Sequence, residues 1–387
     1  MIDFFRPLSQ DVIAHLESLP ESVLGNSMRL HTEEEGFPDL DEVKMVVFGV
    51  KEIRKKVDHN GVPPNFDAIR KAFYGLYPGN WEHTLADIGD INPGNSVEDT
   101  YFALSSVVTT LLKKKLIPII LGGSQDLVYA NYRAYDYFDR MVNLVNIDSK
   151  FDIGNAEETL HNNSYVGKIV VEKPFNLFNY SNIGYQSYFN HPDEIALVEK
   201  LYFDSYRLGE VVNDITLVEP IIRDADLVSL DIGAIKGSEL SYNKTRSPNG
   251  FDGREICAIA RYSGISNRVS SFGIYELEDY TETENAALLI AQILWYFIEG
   301  VNYRIDDGDM SVTDEFVTYK VLIEEEVLFF KKSLKTERWW IEIPFIRSLN
   351  NKLKSWTLLP CSHQDYIDAC NQEIPERWYK ARRKNEI

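Results

Sequence analysis

The stretch NLVNIDSKFD, residues 143–152, decides how this chain folds. The largely apolar segment from Met141 to Ile147 has the length and composition of a buried strand, and Asp148 marks its end. In extended chain, side chains at i, i+2 and i+4 point the same way. Asp148, Lys150 and Asp152 are therefore expected to converge on one spot at the strand end. Two carboxylates there suit either a metal site or an acid/base pair, and the lysine between them fits neither in an obvious way.

Working outward, apolar strands alternate with helices. KMVVFGV (44–50), LIPIILGG (116–123), LVSLDI and SSFGIYEL are strand-like, and KIVVEK and SNIGYQ are also taken as strands. NFDAIRKAFYGLY and DLVYANYRAYDYF have helical spacing. SVEDTYFALSSVVTTLLKKK opens with a serine cap and acids and closes with lysines, as the helix dipole favours. This alternation predicts a three-layer α/β/α fold around a mostly parallel, doubly wound sheet. In such sheets the ligand crevice lies beyond the carboxyl ends of the strands. Those ends are LGGSQD (121–126), NIDSKFD (146–152), SLDIGAIKG (229–237) and GIYELED (273–279).

The bulk numbers narrow the function. With 40 Lys+Arg against 60 Asp+Glu the formal charge is −20, which disfavours nucleic acid and anionic membrane as partners. Three cysteines without a CxxC pair suggest a reducing compartment, hence the cytoplasm. The N-terminus lacks a signal-peptide core, and the apolar run from Ala286 to Ile298 is too short to span a bilayer. Residues 1–43 read as an N-terminal extension and 44–304 as the α/β domain. Residues 305–387 read as a C-terminal extension packed on it, with hairpin-like alternation. Cys257, the Trp339–Trp340 pair and Trp378 are expected in cores.

The strand ends, in this order, resemble the ureohydrolases: arginase, agmatinase and formimidoylglutamase. LGGSQDLVYA resembles the family's Gly-Gly-x-His stretch, VNIDSKFDIG its Asp-x-His-x-Asp stretch, and LVSLDIGAIKG its Ser-x-Asp-x-Asp stretch. ADIGDINPGN, SPNGFDGREICAIARYSG and IYELED also fit, so the likeness covers roughly residues 44 to 300. The formimidoylglutamase branch is nearest. The resemblance implies an arginase-like fold and, in active members, two manganese ions on two histidines and four aspartates, with a bridging hydroxide that attacks a guanidine or amidine carbon. Carried over residue by residue, Gln125 stands at the first histidine, Lys150 at the second, and Gly233 at an aspartate. Asp148, Asp152 and Asp231 match. Glu276 matches the glutamate that grips the substrate guanidinium, although a solvated strand-end charge is equally consistent. His161 follows the Asp148 motif where substrate contacts occur, although a surface loop histidine fits as well.

From this we expect a family member without the dinuclear manganese site, needing no cofactor. Its role would be non-catalytic: scaffold, protein-binding or regulatory. Lys150 would replace a metal charge by bonding to Asp148 and Asp231. A magnesium or calcium site on Asp148, Asp152 and Asp231 is the alternative at the metal position. At the level of function the alternatives are a hydrolase of C–N bonds in linear amidines such as formimidoylglutamate with an altered metal site, or an amidine or amino-acid sensor. The extension at 305–387 is where a protein partner would dock, and a homo-oligomer is compatible with the family.

Overall fold

The computed structural model describes residues 1–57, 61–155, 159–240, 247–277, 280, 283–308, 313–344 and 358–386. Glu278 and Asp279 of the GIYELED strand end, and 345–357 of the C-terminal extension, lie outside the described residues.

The main sheet has ten strands among the described residues. They are β1 (Phe5–Arg6), β2 (Arg29–Leu30), β3 (Val43–Val50), β4 (Thr84–Ile91), β5 (Ile117–Gly122), β6 (Val142–Ile147), β7 (Leu177–Tyr185), β8 (Asp204–Arg207), β9 (Leu227–Asp231) and β10 (Ser271–Tyr275). The order is β1-β4-β3-β5-β10-β9-β6-β7-β8, with β2 on β4, and every pair is parallel except the edge strand β1 on β4. The expected α/β class with a mostly parallel sheet is therefore what the chain adopts. Apolar runs make this possible, because both faces of each central strand are covered. On β5, Ile119 and Leu121 enter the core on one face while Ile120 enters the core on the other.

Helices Gly253–Ile265 and Glu284–Asn302 cover one face and pack closely, because both crossing points are glycine. A methyl group on Gly264 would stand 2.1 Å from the Phe297 carbonyl, and one on Gly300 2.4 Å from the Arg261 carbonyl. Helix Val97–Lys113 lies in the core of the other face, and its predicted start is borne out by a capping box between Ser96 and Asp99. Two sequence expectations differ. The first four residues of KIVVEK, Lys168 to Val171, end a helix, Tyr165–Val171, since Tyr165, Val166 and Ile169 recur at helical spacing on a buried face. The strand at Thr84–Ile91 was not anticipated, because its aspartates Asp87 and Asp90 break the apolar pattern.

Those aspartates are buried around one guanidinium. Arg70, fully enclosed, donates to Asp87 through Nε (2.9 Å) and Nη2 (3.2 Å), and its Nη2 lies 2.8 Å from Asp90. Tyr74 donates to Asp87 at 2.9 Å, and Lys51 reaches Asp90 at 2.8 Å. Burial pushes Asp90 up, but Arg70 and Lys51 outweigh it and hold its carboxyl below the usual range.

The C-terminal residues form a separate antiparallel sheet, β11 (Phe316–Ile323), β12 (Glu326–Ser333), β13 (Trp339–Glu342) and β14 (Leu358–Cys361), in that order. It shares a small core with helices His363–Cys370 and Glu376–Glu386, built on Phe330, Trp339, Ile341 and Trp378. Cys257, Cys361 and Cys370 are all free thiols. No helix among the described residues is long and apolar enough to cross a membrane.

Candidate functional site

The strand order places four loops side by side: those after β5, β10, β9 and β6. Register aligns their origins, with Ile274 opposite Leu121, Tyr275 opposite Asp231 and Ile147 opposite Leu230. Gln125, Glu276, Asp231 and Asp148 are thereby brought to one end of the sheet from four distant parts of the sequence, at its switch point.

Asp148 and Asp152 do meet, but not by strand pleating. The strand stops at Ile147, and the chain turns so that Asp152 has φ 51°. Asparagines hold this turn. Asn190 accepts from the Phe151 N–H (2.7 Å) and donates to the Ser149 carbonyl (3.0 Å), while Asn182 donates to the Lys150 carbonyl (2.6 Å). Asp148 is 1 % exposed and Asp152 4 %. Burial, then the charge of Asp152, pushes the Asp148 carboxyl well above the carboxylate range. Burial also pushes Asp152 up to about 7, with Asp231 and Glu276 adding to the rise and a hydrogen bond from Asp148 opposing it. Ionising both carboxyls in this buried spot is therefore costly.

Lys150 does not bond to Asp148 and Asp231 as expected. Its ammonium donates to Asn163 Oδ1 at 3.4 Å, and only its backbone N–H reaches Asp148 (3.0 Å). The turn that joins the carboxyls carries the lysine side chain elsewhere. Replacing Lys150 with methionine is accordingly expected to change unfolding free energy by less than about 1 kcal/mol, checked by urea denaturation. A larger loss would restore the lysine-for-metal idea.

Gln125 is enclosed. Its backbone N–H donates to Glu276 (2.8 Å), and its Nε2 donates to Asn146 (3.1 Å) and Ser229 (3.0 Å). Its Oε1 has no hydrogen-bond partner, and neither does Oδ2 of Asp152. At Asp231, Oδ1 accepts the Gly233 N–H at 2.6 Å, and a methyl on Gly233 would stand 3.0 Å from the same oxygen. Glu276, at φ 59°, is not solvated: it is 8 % exposed. Besides Gln125 it accepts from Asn162 (3.3 Å) and pairs with the Lys56 ammonium at 2.8 Å. His161 lies beside this group, its Nδ1 accepting from the Asn163 N–H at 3.1 Å.

Lys56, Asn162 and Asn163 were missed from sequence. The one signal for Lys56 is the basic run Lys51, Arg54, Lys55 and Lys56 directly after β3. Burial also pushes Asp126 up to about 6, next to Ser124 and Tyr101, which both bond to it.

The residues do not fit a pair of manganese ions. No histidine stands among Gln125, Asp148, Lys150, Asp152, Asp231 and Gly233, and among the described residues no three His, Cys, Asp or Glu side chains are grouped to hold a metal. Its unpartnered Gln125 and Asp152 oxygens suit a hard cation or an N–H-rich cationic ligand better.

Comparison with known proteins bears on the family and the fold. A sequence model described as the arginase family matches residues 43–299. Formimidoylglutamase of Staphylococcus aureus (strain MSSA476) is 22% identical over 244 residues, covering 60% of this chain and 78% of that protein. Formimidoylglutamase of Streptococcus gordonii is 23% identical over 239 residues, covering 57% and 72%. Among solved structures, Trypanosoma cruzi formiminoglutamase with Mn2+ superposes with TM-score 0.62 at 19% identity, covering 69% of this chain and 96% of that one. Bacillus subtilis formimidoylglutamase gives 0.61 at 17% identity, covering 69% and 90%. At these identities the structural likeness establishes the fold.

Proposed function

The chain belongs to the arginase family, and on that premise we propose that its strand-end crevice serves hydrolysis of C–N bonds in linear amidines of the formimidoylglutamate kind, at a site altered from the two-manganese form. The observation that carries this is the buried pair Asp148 and Asp152, whose ionisation burial opposes and of which the Asp152 Oδ2 has no hydrogen-bond partner, both costly to the fold. Carboxyls held this far from their usual range in a crevice are candidates for function. The names of the relatives and solved neighbours support the same reading.

The chemistry follows from the groups. An amidinium is a flat cation whose N–H donors match carboxylate oxygens. A carboxyl that titrates near 7 can take a proton from water at neutral pH. Water then adds to the amidine carbon, the C–N bond breaks, and the proton passes to the departing amine. The products are one amine and one amide.

A second reading is a non-catalytic family member with a scaffold, protein-binding or regulatory role, whose partner would dock on residues 305–387. It is favoured by Gln125, Lys150 and Gly233 at ligand positions and by Lys56 seated on Glu276. The two separate in one assay. The purified chain is incubated with formimidoylglutamate, agmatine and arginine, with and without added Mn2+, and amine release is measured. The hydrolase reading expects turnover of the amidine that falls at least about a hundredfold in Asp152→Asn. No turnover under either condition supports the non-catalytic reading and rejects the first. We also take 44–304 as the functional unit with 1–43 and 305–387 as additions, in a cytoplasmic setting that the unpaired thiols support.

A further inference from the structure

Away from the crevice, a cleft of about 400 Å³ opens where the C-terminal sheet packs on helix Val218–Arg223 of the main domain. Three cations line it, Arg223, Arg338 and Lys332, against two carboxylates, Glu219 and Glu337, with Trp339, Ser362 and His363 beside them.

Arg223 is the central group. It is 7 % exposed, and its Nη2 donates to the carbonyls of Trp339 (3.1 Å) and Cys361 (3.0 Å). Its guanidinium lies 4.5 Å from the Trp340 ring centroid. Its Nη1 is buried without a hydrogen-bond partner. One carboxylate of the cleft, Glu219, serves two guanidiniums, at 3.0 Å to Arg223 and 3.4 Å to Arg338. Asp307 also pairs with Arg338 at 3.2 Å. The other carboxylate, Glu337, is mostly exposed and stands 3.5 Å from Lys332, a weak pair in water. A buried guanidinium with a free N–H, a neighbouring second guanidinium and a flexible ammonium is the donor arrangement that recognises planar or tetrahedral oxyanions. Burial disfavours the charge of Arg223, which Glu219 offsets in part and Arg338 opposes further, so an arriving anion would add to the compensation that Glu219 supplies.

We propose that this cleft binds a small oxyanion, a phosphate or a carboxylate, held by Arg223, Arg338 and Lys332 at the seam between the main domain and the C-terminal sheet. Because the anion touches groups from both sides of the seam, its binding raises the unfolding temperature. This proposal is independent of any activity in the strand-end crevice.

The test is isothermal titration of the full chain with inorganic phosphate in one arm and malonate in the other, followed by thermal unfolding. We expect a saturable one-to-one isotherm in at least one arm, with a Kd of about 1 mM or below, and the stronger arm identifies the source. Arg338 also pairs with Asp307, so its loss disturbs the fold as well as the cleft. Lys332→Glu therefore carries the decision, since Lys332 is partly exposed and unfolding of the variant can be checked directly. It should weaken binding about tenfold or more. Lys200→Glu, exposed at the end of helix Pro192–Lys200, makes the same charge change elsewhere and should leave binding unaltered. Failure of both anions to saturate, or equal weakening in the two variants, overturns the proposal.

Discussion

Replacing Arg70 with methionine is expected to remove about 3–5 kcal/mol of stability. The guanidinium is the principal counter-charge to Asp87 and shares Asp90 with Lys51. Methionine fills comparable volume and leaves Asp87 buried with only the Tyr74 hydroxyl and the Gly89 N–H on it. Asp90 keeps Lys51, so the loss concentrates on Asp87. Two variants refine the test. Arg70→Lys should recover less than half of the loss, because an ammonium cannot bond both Asp87 oxygens and Asp90 in one plane. Arg70→Met with Asp87→Asn should cost less than the sum of the single changes, since the stranded charge is gone. Denaturant unfolding of all three checks this. A loss in Arg70→Met below about 1 kcal/mol would mean that water reaches the network and screens it.

The second large effect is a gain. With divalent metal chelated, Asp152→Asn is expected to stabilise the chain at pH 8 by about 1–3 kcal/mol and to do little at pH 4. The sign follows from the direction of the shift. Asp152 titrates at about 7 in the fold, against 3.8 for the unperturbed group. Between those values the folded chain holds a proton that the unfolded chain has released. Stability from this group therefore falls as pH rises through that window and stays low above it. Asparagine cannot ionise, so the variant escapes the fall. Thermal melts at the two pH values read it out. A variant that is less stable than the parent at pH 8 would show that the ionised Asp152 is paired in solution. Added Mg2+ or Mn2+ that raises the parent melt at pH 8 but not the variant would identify a cation as the partner.

The fold was legible because burial leaves a local mark. The runs at 45–50 and 116–123 are apolar on both sides, as a sheet covered on both faces requires. The strand at Thr84–Ile91 escaped because the burial of Asp87 and Asp90 depends on Arg70, which comes from helix Asp67–Tyr74, distant from them in the local pattern. KIVVEK was misread because a short β-branched run is compatible with a buried helix, and only the partners across the interface decide.

The candidate site divides in the same way. Order and spacing of the strand-end motifs determined which positions meet: Gln125, Asp148, Asp152, Asp231 and Glu276 come to one end of the sheet because parallel strands all deliver their carboxyl ends there. What each side chain does on arrival was decided by tertiary structure. Lys150 turns to Asn163, Glu276 takes Lys56, and Asp148 and Asp152 are buried together by a turn held by Asn182 and Asn190. The physical reason is range. Periodicity records whether a residue is buried, a property its near neighbours express. A hydrogen bond or an ion pair depends on differences of less than an ångström between segments far apart in sequence, and those distances exist only once the chain has folded.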